Sequence, residues 1–218
     1  MLKNMRKNKD VGIYGLAAKW YDKNTRNNRL AEMQGYANEV ASCVSSNANI
    51  LEVAPGPGYL SIELARKGFN ITGVELSPDF VRIAKNNARE AGVKVNFIEG
   101  NASNLPGEDN FFDFIICSAA FKNFKDPVKV LHEMHRVLKQ GGTALIIDMN
   151  REATNKDIGD EIKGMKGFDK YFVKFSFMTF VKQGAYTKEE FEAFLKEIPF
   201  KDYNIKKEGL SLYVYLYK

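Results

Sequence analysis

The segment NILEVAPGPGYLSIELARKG, residues 49–68, indicates the fold class of the chain. Its first six residues form an apolar run, which is typical of a buried strand. The glycines and prolines of APGPG predict a turn, and YLSIELARKG predicts a helix that ends at Gly68. A strand, a glycine-rich turn and a helix in this order are typical of an α/β sheet that binds a ligand where its first strand ends.

The same alternation continues along the chain. Further strands are predicted in FNITGVEL (69–76), VKVNFIEG (93–100), FFDFIICSA (111–119) and TALIIDM (143–149), with helices in SPDFVRIAKNNAREAG (77–92) and DPVKVLHEMHRVLKQGG (126–142). Ser77 and Asp126 are predicted N-caps, and each is followed by a proline in the first helical position. Near-continuous apolar strands between helices predict a doubly wound, mostly parallel sheet that is covered on both faces.

The flanking segments complete the predicted architecture. VGIYGLAAKWYDKN (11–24) and RLAEMQGYANEVASCV (29–44) predict two N-terminal helices, and the second has apolar residues at helical spacing. Thr187 and Glu190 form a capping box for a last helix. Residues 201–218 predict two strands joined around Glu208-Gly209, so seven strands are expected, the last two as an antiparallel pair.

Length and composition favour one globular domain. The chain has 218 residues, of which 44% are hydrophobic and 27% charged. No apolar run approaches the roughly 20 residues that cross a bilayer, and the N-terminus lacks the apolar core of a secretory signal. We therefore expect a cytoplasmic protein without a membrane partner.

The basic charge is concentrated at one end of the chain. Residues 1–30 hold eight basic and two acidic residues, a net charge of +6, whereas the other 188 residues hold 24 basic and 25 acidic residues, a net charge of −1. A basic arm can contact nucleic-acid phosphates, but it is more often a solvated tail. Nucleic acid is therefore not the expected partner.

Cysteine usage indicates neither a disulfide framework nor a metal site. Cys43 and Cys117 lie 74 residues apart and are expected to be reduced, partly buried thiols. No paired C-x-x-C ligands are present, so no metal is expected.

The predicted ligand site lies at the carboxyl ends of the first two strands. Glycines in the turn let a ligand approach the backbone closely, and the following helix offers free N–H groups. Glu75, nineteen residues after Gly56, ends the second strand, where a carboxylate can accept hydrogen bonds from ribose hydroxyls. These features predict a cofactor that contains a nucleoside. A nicotinamide dinucleotide is one candidate, but Ser61 or Tyr59 falls where the third glycine of the dinucleotide fingerprint is required.

Residues 48–149 resemble, in order and spacing, the class I S-adenosylmethionine-dependent methyltransferases, and their small-molecule branch in particular. The resemblance rests on ILEVAPGPGYLSIELARKG, GVELSPDFVRIAKNNA and the stretch from FIEGNASNLPG to GGTALIID. It implies a Rossmann-like fold, S-adenosylmethionine as cofactor and S-adenosylhomocysteine as product.

The resemblance also implies the roles of individual residues. The methionine part of the cofactor would be bound by Glu52, Ala54, Gly56 and Gly58, and the ribose and adenine by Glu75, Leu76, Asn101 and Ala102. Ser118 and Ala119 would lie beside the transferable methyl group. Tyr21 would be an aromatic residue that closes over the cofactor. Three departures are visible: Ala54 replaces a usual glycine, Asn101 a common aspartate, and the segment FKNF (121–124) lacks a histidine often found there.

The acceptor side is less determined. Asp148 and Lys122 are candidates for contacting the substrate, with a solvated or capping carboxylate as the alternative for Asp148. His132 and His135 are expected on the solvent side of their helix. Met165, Phe168, Tyr171, Phe172, Phe175, Phe177, Met178 and Phe180 form an aromatic block that either packs in the core or lines an apolar acceptor pocket.

These observations predict one methyltransferase domain over residues 1–218. Its expected parts are a basic arm and helices (1–47), the cofactor core (48–149), a helical lid or insertion (151–186), and the last helix with the strand pair (187–218). The favoured activity is methyl transfer to a small, apolar or aromatic molecule. Two alternatives stay open: a nucleic-acid or protein methyltransferase that uses the basic arm, and a non-catalytic module that binds S-adenosylmethionine.

Overall fold

A computed structural model describes residues 10–161 and 184–218. Within them, seven strands form a single sheet in the order β3-β2-β1-β4-β5-β7-β6. The strands are β1 Asn49–Val53, β2 Asn70–Glu75, β3 Asn96–Glu99, β4 Phe112–Ser118, β5 Leu138–Met149, β6 Asp202–Glu208 and β7 Ser211–Tyr217. The first five run parallel, and β7 pairs antiparallel with both β5 and β6. The predicted doubly wound sheet with a C-terminal antiparallel pair is confirmed.

Helices cover both faces of this sheet. They are α1 Gly15–Cys43, α2 Tyr59–Arg66, α3 Pro78–Glu90, α4 Pro127–Val137, α5 Asn155–Glu161 and α6 Lys188–Leu195. Alternate residues of the central strands face opposite sides: Ile50 and Ile116 pack with α1 and α2, whereas Leu51 and Ile115 pack with α4 and α6. Burial on both faces explains why these strands are apolar throughout.

The predicted helix starts are confirmed. The Ser77 hydroxyl accepts the Phe80 N–H at the start of α3, and the Asp126 carboxylate accepts the Lys129 N–H at the start of α4. The Thr187 capping box is also present at α6. These side chains satisfy N–H groups that have no partner within the first helical turn.

The N-terminal prediction of two helices is wrong, because α1 is one continuous helix of 29 residues. Polar side chains in its middle bond to the carbonyls of the preceding turn: Asn24 donates to the Trp20 carbonyl and Thr25 to the Tyr21 carbonyl. Both residues are helical, so the two predicted segments join without a break.

The predicted end of α4 at the Gly141-Gly142 pair is also wrong. The helix ends at Val137, and Leu138, fully buried and extended, already pairs with Phe112 as the first residue of β5. A Cβ atom at Gly142 would lie 2.8 Å from Leu138 Cδ1 and 3.0 Å from the Asp113 carbonyl oxygen. Gly142 therefore lets the backbone of β5 pass close to Leu138 and to the Asp113 carbonyl of β4.

The two cysteines differ from the expectation that both are partly buried. Cys43 is exposed at the end of α1 and Cys117 is fully buried in β4, and both thiols are free. Within the described residues, no helix is both long enough and apolar enough to cross a bilayer.

Candidate functional site

A cavity opens at the carboxyl ends of β1, β2 and β4, beside the point where the strand order reverses between β1 and β4. It contains about 870 Å³ free of protein atoms, including its open mouth. The predicted cofactor residues lining it are Tyr21, Glu52, Ala54, Gly56, Glu75, Leu76, Asn101, Ala102, Ser118 and Ala119. Switch points of open α/β sheets are the usual ligand sites of such folds.

The backbone of the glycine-rich turn is left-handed at three positions, with φ of 58° at Ala54, 55° at Gly56 and 82° at Gly58. Ala54 is held there by an N–H bond of 2.8 Å to the Val74 carbonyl. No atom lies within 4 Å of a Cβ built on Gly56, which lines the cavity. The turn therefore presents bare backbone to the cavity at Gly56.

Gly58 differs from the other predicted cofactor residues, since it does not line the cavity. A Cβ atom at this position would lie 2.6 Å from Phe97 Cζ and 3.0 Å from the Ala84 Cβ atom. Gly58 thus lets the start of α2 pack against α3 and β3. A bulky residue here would therefore disturb the packing of the fold as well as the turn.

Glu75 is held by the backbone at the rim of the cavity. Its Oε2 accepts the Gly56 N–H at 3.0 Å and its Oε1 accepts the Ser77 N–H at 2.9 Å. Burial raises the pKa of Glu75, and these two backbone donors oppose the shift. A carboxylate has about four acceptor sites, so two stay available for a ligand.

Glu52 is almost completely buried beneath the same turn and accepts a hydrogen bond from the Ser61 hydroxyl. Burial raises the pKa of Glu52 to about 7, although the Ser61 bond and the charge of Arg29 act in the opposite direction. This side chain can therefore be protonated near neutral pH.

Asn101 occupies the cavity wall after β3. Its Oδ1 accepts the Ser103 N–H at 2.8 Å, and its Nδ2 donates to Asp10 Oδ2 at 2.9 Å. The amide therefore uses the donor that an aspartate at this position would lack. Ala102 is buried beside it.

The end of β4 forms the floor of the cavity next to β1. Ser118 is half-buried, and Ala119 adopts a left-handed φ of 56° while its N–H donates to the Ile147 carbonyl at 2.7 Å. A non-glycine residue with positive φ is uncommon and is often found near functional sites. The ends of β1 and β4 both carry such an alanine, since Ala54 is the other.

Tyr21 lies on α1 above the cavity. Its ring meets Phe80 edge-to-face at a centroid distance of 5.7 Å, and its hydroxyl accepts a hydrogen bond from Arg29 at 3.3 Å. Phe80 and Arg29 line the cavity with it. The predicted aromatic is thus in a position to contact a bound ligand.

Residues 10–13, here called the strap, line the cavity and were not identified from the sequence. Asp10 accepts hydrogen bonds from the Asn101 amide and from the Lys125 N–H, so it bridges two walls of the cavity. The Val11 N–H donates to the Asn123 carbonyl, and the Ser77 hydroxyl donates to the Ile13 carbonyl. No local pattern marks this segment, because its partners lie far along the chain.

Arg29 was also missed. It lies two helical turns after Tyr21, a spacing that could have indicated a shared face of α1. Its Nε donates to Glu32 at 3.0 Å. Arg29 is a positive charge in the cavity wall, close enough to Glu52 to act on its pKa.

Asp148 and Lys122, the candidates for contacting the substrate, do not line the cavity but pair with each other. Lys122 Nζ lies 2.9 Å from Asp148 Oδ1, and the Lys122 N–H donates to Asp148 Oδ2 at 2.8 Å. Asp148 is only 3% exposed, so it is not solvated. Its geometry fits the capping alternative, because it holds the 3₁₀ turn Phe121–Asn123.

The histidines lie on α4, away from the cavity. His132 is exposed, whereas His135 is half-buried with its ring 5.0 Å from that of Phe200. The solvent-side expectation therefore holds for His132 and only in part for His135. The aromatic block of residues 165–180 falls outside the described residues.

Comparison with known proteins adds to this geometry. Residues 51–146 match the family model described as a methyltransferase domain. The demethylmenaquinone methyltransferase of Thermus thermophilus is 35% identical over 101 residues, which are 45% of this chain and 46% of that protein. The chain thus spans less than half the length of this curated relative.

Solved structures share the fold over nearly the whole chain. A Methanococcus maripaludis protein described as an S-adenosyl-L-methionine-dependent methyltransferase aligns with a TM-score of 0.76 and 23% identity, covering 99% of this chain and 97% of that one. The plantazolicin methyltransferase BpumL in complex with SAH aligns with a TM-score of 0.67 and 16% identity, covering 93% and 88%. At these identities the likeness concerns the fold.

The fold, the position of the cavity and the matched domain lead to the same conclusion. The predicted motif residues fall within or beside the matched segment 51–146 and, apart from Gly58, line one cavity with Tyr21. Residues 51–146 thus match the methyltransferase domain family, and the chain has the fold of solved S-adenosylmethionine-dependent methyltransferases.

Proposed function

We propose that this chain transfers a methyl group from S-adenosylmethionine to a small, apolar or aromatic acceptor. The observation that carries the proposal is the placement of Glu75 and Gly56 on one cavity at the switch point of the sheet. The match of residues 51–146 to the methyltransferase domain supports the cofactor, and the names of relatives support the acceptor class.

The residues present fit this cofactor. Glu75 keeps two acceptor sites that suit the paired hydroxyls of a ribose, and Leu76 and Phe80 offer apolar surface for an adenine. Bare backbone at Gly56 leaves room for the methionine part. Arg29 supplies a positive charge that would complement the methionine carboxylate.

S-adenosylmethionine supplies a methyl group that its sulfonium has already activated, so the protein mainly binds and orients the reactants. Glu75 and the Gly56 turn would fix one end of the cofactor, while Ser118 and Ala119 border the space next to it. The strap and Tyr21 would exclude water from above. A general base is required only for an acceptor that carries a proton at neutral pH.

A quinone-like ring is the acceptor class to test first, because the Thermus thermophilus relative is named for demethylmenaquinone. The shared 101 residues cover less than half of that protein, so its substrate does not transfer to this chain by similarity. The apolar wall formed by Met33, Leu60 and Phe124 is compatible with an aromatic ring.

Methyl-labelled S-adenosylmethionine tests the proposal directly. We expect label to enter a quinone or phenol from a panel of small acceptors, and not an RNA transcript or a peptide mixture. Label found only in RNA, together with RNA binding that survives about 200 mM salt, would favour the nucleic-acid alternative. Cofactor binding without transfer to any acceptor would favour the non-catalytic module.

A further inference from the structure

Exposed apolar side chains are concentrated at the start of α1 and in the strap. Leu16 is 82% exposed, Trp20 62%, Val11 55% and Tyr14 50%. These four residues are here called the N-terminal apolar face. Single exposed apolar residues are ordinary, but a cluster of four within ten positions indicates an interaction surface.

Packing among the described residues, 10–161 and 184–218, does not explain this face. On the opposite side of α1, Ala18 and Tyr21 pack against Phe80 and Ile83 of α3. Leu16 and Trp20 lie one helical turn apart and point away from that contact. The helix start therefore has two apolar sides, of which one is buried and one faces outward.

The charge around the face is positive. Lys19 and Lys23 are exposed on the same turns of α1 as Trp20. Of the carboxylates beside the face, Asp22 is paired with Arg26 and Asp79 with Arg82, while Asp10 accepts the Asn101 amide and the Lys125 N–H. The sequence of residues 1–30 carries a net charge of +6, against −1 for the rest of the chain.

The face is continuous with the cavity. Val11 belongs both to the face and to the cavity lining, and the next residues of the strap, Gly12 and Ile13, line the cavity as well. Whatever binds the face therefore lies next to the cavity, at the side that the strap covers.

We propose that the N-terminal apolar face docks on the surface of an anionic lipid bilayer. Tryptophan, tyrosine and leucine beside lysines are the side chains that insert shallowly into such a surface while the basic groups contact lipid phosphates. Docking would bring the cavity to an apolar acceptor dissolved in lipid, a step that rests on the proposed function. The expectation of no membrane partner considered only a spanning segment.

Trp20 is the only tryptophan of the chain, so its fluorescence reports docking without a label. We expect its emission to shift to shorter wavelength when the full chain is mixed with phosphatidylcholine vesicles containing about 30% phosphatidylglycerol, and to shift much less with phosphatidylcholine alone. The shift should weaken at high salt. No shift with the anionic vesicles would overturn the proposal.

Variants locate the contact. Leu16→Ser and the pair Lys19→Glu/Lys23→Glu should each weaken vesicle binding by about tenfold, since they remove apolar burial or reverse charge at the surface. Tyr203→Ser on edge strand β6 and the pair Lys67→Glu/Lys94→Glu make the same kinds of change at exposed positions elsewhere. Equal losses in both sets would contradict docking through this face.

Further readouts separate this proposal from its rivals. Calorimetric titration with S-adenosylmethionine in vesicle-free buffer should be unchanged by the α1 variants, which also shows that they are folded. If the unaltered chain docks on vesicles but does not bind S-adenosylmethionine, the proposed function is contradicted and the docking proposal is not. If the Trp20 emission shifts as the protein concentration is raised in the absence of vesicles, two copies of the chain associate through this face, and the lipid proposal is overturned.

Discussion

Glu75 ends β2 with both carboxylate oxygens bound to backbone N–H groups and two acceptor sites still available. Glu75→Ala is expected to weaken S-adenosylmethionine binding by about 1.5–3 kcal/mol, the range for hydrogen bonds to a charged group. Its neighbour in register on β3, Glu99, is exposed and outside the cavity, so Glu99→Ala is the matched control. Titration calorimetry that finds equal affinities for the two variants would contradict the placement of the ribose.

Glu52 makes stability depend on pH. Burial raises its pKa to about 7 in the folded protein, so between pH 4.5 and 7 the folded state binds more protons than the unfolded chain. The contribution of this carboxyl is therefore fully present below pH 4.5 and is lost as the pH rises through 7.

Replacing Glu52 by an uncharged isostere tests that dependence. Without cofactor, Glu52→Gln should be more stable than the unaltered chain by up to about 3 kcal/mol at pH 8 and nearly equal to it at pH 5. Urea unfolding at the two pH values measures the difference. The same stability gap at both values would show that Glu52 does not titrate in this range.

The two glycines of the turn have separable roles. Gly58→Ala places a methyl group 2.6 Å from Phe97 Cζ at a φ of 82°, and we expect it to reduce the free energy of unfolding by about 2–4 kcal/mol. Gly56→Ala meets open space at a φ of 55°, so it should cost only about 1–2 kcal/mol of backbone strain while it obstructs the cofactor. Urea unfolding and cofactor titration compare the two variants. A larger stability loss at Gly56 would reverse these assignments.

At the scale of elements, the strap is fastened over the cavity through Asp10. Asp10→Ala removes the acceptor for both the Asn101 amide and the Lys125 N–H. We expect cofactor dissociation to become several-fold faster without a comparable change in stability, because the strap makes few other contacts across the site. Stopped-flow displacement measures the rate, with the exposed Asp109→Ala as control. An unchanged rate would mean that the strap does not retain the ligand.

Local sequence signals placed most elements but failed where distant contacts decide. The starts of α3, α4 and α6 were predictable because a capping side chain and its N–H partner lie within four residues. The start of β5 was not, since Leu138 leaves the helix to pair with Phe112 across the sheet. The continuity of α1 was not predictable, because the polar residues in its middle give the same local pattern as a loop.

Across the whole molecule, the site residues that could be predicted from the sequence are mainly those that lie at the ends of strands or directly after them. Glu75 ends β2 and Gly56 lies in the turn directly after β1, so the parallel pairing of the two strands brings them together. The strap and Arg29 reach the cavity only because α1 packs across α2 and α3, which no local spacing encodes. The pairing of the acceptor candidates Asp148 and Lys122 was not predictable for the same reason, since their ion pair is a tertiary contact.

S-adenosylmethionine is expected to bind in the cavity at the switch point of the sheet. Calorimetric titration of the full chain with S-adenosylmethionine, S-adenosylhomocysteine and NAD in parallel tests it most directly. We predict micromolar binding of the two adenosyl ligands and none of NAD, because the turn lacks the third glycine of a dinucleotide site. Binding of NAD, or silence from both adenosyl ligands, would contradict the account.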